Sequence, residues 1–216
     1  MSLSAADKPH VPENEDGSRA RRLKTATRET HDQLDDFISR MASFETLEAY
    51  GRFLSVQWLF HRDIAALYRE GALQALLPGL PARRRLELIG GDLADLGLPE
   101  PPTDKAPFFR SGAALNAAHA LGWLYVAEGS NMGAALLRKQ AARLGLSDDH
   151  GARHLAPAPE GPAAHWRAFT AALDAAVLPA RAEARVVDGA EAALQAGASL
   201  CRPAPWLRGR RLTGDR

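Results

Sequence analysis

A single cysteine, Cys201, is all that the 216-residue chain contains. An internal disulfide is therefore excluded, and a reducing, cytoplasmic setting is expected. Neither sign of charge is in excess: 27 basic residues stand against 26 acidic ones, for a formal net charge of +1. A nucleic-acid partner, which favours a basic surplus on one face, is not expected. No apolar run approaches the roughly 20 residues that span a bilayer. The N-terminus also lacks the basic-then-apolar layout of an export signal, so no membrane partner is expected either. Strand signals are scarce, with no period-two runs and no Asn-Gly hairpin, whereas Ala and Leu abound. The fold class is all-α.

Residues 1–18 are polar, carry two prolines and lack apolar periodicity, which predicts a disordered tail ahead of one domain over 19–216. From Arg19 the positions Leu23, Thr27, His31, Leu34, Ile38 and Met41 recur at helical steps and define one face. Further helices are predicted over Phe44 to Tyr68, ended by Gly71, and over Pro81 to Leu96. A proline-rich loop follows from Gly97 to Pro107. A long helical pattern then runs from Ser111 to Leu144, with Gly145 placed for a left-handed cap. Two more helices are expected, over Ala163 to Leu178 and Val187 to Cys201.

Two segments carry chemistry. In the first, RRLKTATRETHDQLDD, His31 lies on the apolar stripe between Thr27 and Leu34, so its imidazole is expected to point inward. A neutral imidazole in that position can ligate a metal or haem iron through Nε2. Asp35, one turn on, is placed to hold the other ring nitrogen and so fix the tautomer. A core histidine satisfied by a hydrogen bond fits the same spacing. The second segment is LGWLYVAEGSNMGAALLRKQ. Gly129 and Gly133 share a face there, and each costs about 1 kcal/mol against alanine inside a helix. Close approach of a flat ligand to the backbone, a kink, or tight helix packing would each account for the pair. Ser130 and Asn131 place small polar groups beside the glycines, and Tyr125 stands one turn earlier.

Together, THxxLD on the first helix and YVxEGSxxG on the long one, at this separation, resemble the bacterial haem oxygenases from Arg19 to about Cys201. The resemblance implies a multi-helical bundle with haem sandwiched between a proximal helix and a kinked distal helix. It further implies an enzyme that cleaves haem at a meso carbon to biliverdin, CO and ferrous iron. His31 then corresponds to the proximal iron ligand, and Gly129 and Gly133 to the distal glycines that leave room for bound O2. Ser130 stands where animal members carry an aspartate that holds the distal water. Lys24 and Tyr125 match positions that anchor and orient the haem edge, and Lys24 favours α-cleavage. Electrons must come from outside, from a ferredoxin or an NAD(P)H-dependent reductase. Arg138, Lys139 and Arg143 are candidates for that docking face, although solvated charge explains them better. A non-catalytic haem-binding or trafficking protein on the same scaffold is the competing expectation.

The remaining candidates are read as structural. His61 is expected to be a partly buried helix residue, and His119 lies some 15 Å along the helix axis from Gly129. His150, His154 and His165 lack a regular ligand pattern. Glu128 has no pair of Glu-x-x-His motifs to complete a di-iron site. Arg181 and Arg185 are candidate partners for the haem propionates, although ordinary surface arginines are commoner.

Overall fold

A computed structural model describes residues 17–41 and 44–201. Nine α-helices lie within those residues: α1 Arg19–Ala26, α2 Arg28–Met41, α3 Leu47–Ile64, α4 Gly71–Leu76, α5 Leu86–Asp95, α6 Ala117–Ser130, α7 Ala134–Arg143, α8 Pro162–Ala175 and α9 Glu183–Leu200. No strand occurs among the described residues; the only pairing of that kind is an isolated bridge from Ser147 to His150 and Gly151. The all-α expectation holds. Among the described residues no helix is long and apolar enough to cross a membrane.

Several boundaries differ from the sequence pattern for local reasons. The first helix is interrupted at Thr27, which takes φ −98° and ψ 8°. Its hydroxyl bonds back to the Leu23 carbonyl at 2.9 Å, a habit of threonine that bends helices. Gly71 opens the short helix α4 instead of simply ending α3. Pro81 falls in a 3₁₀ turn, Leu80–Arg83, and α5 starts only at Leu86. The long run of 111–144 begins at Ala117, capped by the Asn116 side chain, which accepts from His119 N at 3.1 Å. It breaks at a 3₁₀ turn, Asn131–Gly133, and resumes as α7. Gly145 adopts φ +82°, the left-handed cap that its position predicts.

Of the expected polar tail, residues 1–16 lie outside the described residues, as does 202–216 at the other end. Ser18 belongs to the fold: its hydroxyl accepts from Arg21 N at 3.1 Å and donates to Asp174 at 2.9 Å.

Helix α9 is the platform on which the other key helices are mounted. It packs most extensively on α6, and also on α2 and α3. The α6–α9 crossing brings backbone onto backbone. A Cβ at Gly122 would lie 2.8 Å from the Gly189 carbonyl carbon and inside the envelope of Val186 O. One at Gly189 would lie 2.8 Å from the His119 carbonyl carbon. Two apolar clusters hold the bundle. One gathers Leu23, Ile64, Tyr68, Trp123, Phe169 and Val186 around α6. The other gathers Tyr50, Phe53, Leu93, Ala141, Leu146 and Leu155 around α3 and α5. Burying a large apolar side chain in this way is worth about 1.5–3 kcal/mol.

Candidate active site

The Thr27 break decides where His31 points. In α1, Leu23 and Thr27 are buried, but beyond the break the inward face of α2 is Thr30, Leu34 and Ile38. Thr30 fixes that face by donating to Glu191 of α9 at 2.6 Å. His31 lies one residue off it, about 100° around the helix. Its side chain is 58% exposed, contrary to the inward orientation expected from an unbroken stripe. This geometry excludes the satisfied core histidine. Asp35 does meet it, with Oδ2 3.3 Å from His31 Nδ1. Lys24, on α1, is exposed.

On the other side of the platform stands α6. It does not pack face to face with α2; both rest on α9. Gly129 faces α8, where a Cβ would meet the Trp166 ring at 3.5 Å, an ordinary contact. Tyr125 packs on the same ring at a centroid distance of 5.6 Å, and burial raises its phenol pKa. Ser130 is exposed and donates to Ala127 O at 2.7 Å. That back-bond sits where α6 gives way to the 3₁₀ turn. Gly133 is exposed, and nothing lies within 4 Å of where a Cβ would be. Leu136, one turn on, is 64% exposed. The structure thus gathers Tyr125 and Gly129 around Trp166, leaves Gly133 in the open, and sets Lys24 and His31 on separate helices.

Behind the kink, charges are buried and paired. Glu128 accepts from Arg83 Nη1 at 2.8 Å and from the Tyr68 hydroxyl at 3.2 Å, with His165 Nε2 at 3.7 Å. His165 also bonds Glu160 at 2.7 Å, and its pKa is raised first by Glu128. A second set pins the 150–156 segment to α5. Asp92 accepts from His154 Nδ1 at 2.7 Å and from the backbone N–H groups of His154 and Arg153. His61 is fully buried on α3, and desolvation, with His154 and Arg85 nearby, lowers its pKa to about 3. His119 accepts from Trp123 Nε1 at 3.2 Å. Arg138, a docking candidate, is engaged with Asp148. A cavity of about 250 Å³ lies between the kink (Glu128, Asn131 and Met132), the start of α7, the 155–158 segment and α8. Neither Gly129, Gly133 nor any residue of α1 or α2 lines it, so it is separate from the His31 segment.

Gly122, Gly189, Trp166 and the Arg83–Glu128 pair were not legible as a set. Each depends on a partner distant in sequence.

A family model described as heme oxygenase matches residues 18–201. The chain belongs to the haem oxygenase family. It is 42% identical over 172 residues to heme oxygenase PigA of Pseudomonas aeruginosa, covering 80% of this chain and 85% of the relative. It superposes with a TM-score of 0.79, at 38% identity, on the NO- and CO-bound heme oxygenase of Neisseria meningitidis, covering 86% of this chain and 90% of that one. The competing expectation of a non-catalytic haem carrier is not favoured by these matches. As a haem oxygenase, the chain takes haem as both substrate and iron-bearing prosthetic group.

The chemistry of the residues suits that ligand. Haem has apolar faces, an anionic edge and an iron that accepts imidazole nitrogen. On this haem oxygenase, His31 presents an accessible ring with the Asp35 carboxylate 3.3 Å from its Nδ1. Gly133 and Leu136 present an open apolar stretch, and Lys24 offers an exposed ammonium.

Proposed function

We propose that this haem oxygenase binds haem iron through His31 Nε2 and directs O2 to one meso carbon from the Gly129–Gly133 segment, yielding biliverdin, CO and ferrous iron. The observation that carries the reading is the Asp35–His31 pair in the THxxLD position of a chain matched over 18–201. Asp35 keeps the proton on Nδ1, which fixes the tautomer and makes Nε2 the ligating atom. Bound haem supplies both the iron at which oxygen is activated and the ring that is cut. A neutral imidazole donates less electron density than a thiolate, which suits ring attack more than O–O heterolysis.

The distal side does its work by having little side chain. Gly133 lets the backbone come close, and Gly129 keeps the turn before it slim. The Ser130 hydroxyl spends its proton on Ala127 O, so its oxygen lone pairs remain to accept from a water at the kink. Asn131 supplies a further polar group there. Lys24 and Tyr125 hold the anionic edge, and Lys24 fixes the rotation that favours the α-meso carbon. Arg181 and Arg185, both exposed near the start of α9, are further propionate partners. Electrons come from a ferredoxin or an NAD(P)H-dependent reductase in the cytoplasm, where Cys201 stays a thiol.

Purified protein loaded with haem and given ascorbate in air tests this directly. The expected result is loss of the haem absorption band and a single biliverdin isomer, the α form, on chromatography. Haem that persists unchanged contradicts the reading, and a β/δ mixture contradicts the role given to Lys24.

A further inference from the structure

Glu128 plays no part in binding haem in the account above, yet it is the one carboxylate of α6 and is buried, at 2% exposure for the residue. It sits immediately before Gly129, at the last turn before the kink. An isolated carboxylate so placed would be costly, and here it is compensated from three elements. Arg83, in the 3₁₀ turn Leu80–Arg83, pairs with Oε2 at 2.8 Å and is itself only 8% exposed. Tyr68, in the preceding 3₁₀ turn, donates to Oε1 at 3.2 Å. From α8, His165 brings Nε2 to 3.7 Å. Arg83 then closes the set by donating to the His165 carbonyl at 3.0 Å and lying over the Phe169 ring at 5.5 Å. The next residue of α8, Trp166, rests against Gly129. Two successive residues of α8 therefore hold two successive residues of α6. Ser130 lies about 200° around the helix from Glu128, on the exposed side.

We propose that Glu128 is a positioning residue: through Arg83, Tyr68 and His165 it fixes the end of α6, and so fixes where the Asn131–Gly133 turn is presented to haem. The inference rests on the distal assignment made under Proposed function. Its physical basis is that a buried charge-assisted pair is directional, whereas apolar packing at the same point would let the helix end rotate or slide.

Glu128→Gln keeps the volume and an acceptor for Tyr68 but leaves Arg83 without its counter-charge. Arg83→Met combined with Glu128→Gln removes both charges, and should recover much of the lost thermal stability. Hydrogen exchange of the 129–134 amides in the haem-free protein, haem titration and the biliverdin isomer ratio are then measured on both variants and the wild type. The expected result is exchange about ten-fold faster across 129–134, and haem bound about ten-fold more weakly, in both variants, as loss of a charge-assisted bond implies. Isomer purity falls with them, even where the melting temperature of the double variant is restored. Wild-type exchange and isomer purity in Glu128→Gln would overturn the proposal. So would a double variant that regains exchange protection together with stability, since that makes the cluster structural only. If the wild type itself makes no biliverdin, the proposed function fails, while exchange in the haem-free protein still decides whether Glu128 holds the segment.

Discussion

Glycines at three positions of this chain do different jobs, and the space around each separates them. Gly122 and Gly189 meet backbone, which cannot move aside, whereas Gly133 meets nothing within 4 Å. Gly122→Ala and Gly189→Ala are each predicted to destabilise the haem-free protein by about 3 kcal/mol, the upper end of overpacking costs. Gly133→Ala is predicted to change that stability by less than about 0.5 kcal/mol while weakening haem binding. Urea denaturation of the three variants, with haem titration of the last, checks both halves; equal losses across the set would contradict the assignment. Sequence alone singled out Gly129 and Gly133 because they lie four apart. Gly122 gave no such signal, since its partner is 67 residues away and only the fold brings the two together. His31 was legible as a ligand candidate from its motif, but its orientation was not, because the Thr27 bend turns α2 away from the stripe of α1.

At the scale of elements, the helices and the kink near Gly129 and Gly133 were readable from apolar period and punctuation, whereas the break at Thr27 was not. The Ser111–Leu144 pattern is uniform in Ala and Leu on both sides of Ser130, so period gives no warning of the 3₁₀ turn; only the polar Ser130–Asn131 pair and the glycines mark it. Helix α3 carries a different liability in acid. His61 is buried, and burial, with His154 and Arg85, lowers its pKa to about 3. An unfolded imidazole titrates near about 6.5, so between those values the unfolded chain binds a proton that the folded chain does not. Stability therefore falls as pH drops through that window. His154 moves in the same direction, with burial outweighing its bond to Asp92. Asp92 acts lower still: burial pushes its carboxyl up, but the bonds from His154 and Arg153 hold it below its usual value. Its contribution is present above about pH 3.9 and lost below it. His61→Gln is predicted to flatten the stability profile between pH 6 and 4 by up to about 1.4 kcal/mol per pH unit, the slope of one proton. Chemical denaturation at several pH values reads this, and parallel profiles for variant and wild type would contradict it.

For the whole molecule, one helix supports both of the segments proposed to take haem. α9 receives α2 through Thr30 and Glu191, one residue from His31, and receives α6 through the Gly122–Gly189 crossing. The imidazole helix and the glycine-bearing helix are thereby set apart on a shared support and not pressed together. The central claim is that His31 is the group that takes haem iron. Ultraviolet-visible titration of wild type and His31→Ala with haem, with and without added imidazole, tests it most directly. The account predicts a histidine-ligated spectrum and biliverdin formation for the wild type. It predicts loss of both in His31→Ala, and their return when imidazole fills the place of the missing ring. A His31→Ala protein that binds haem with the wild-type spectrum and turns it over at the wild-type rate would contradict it.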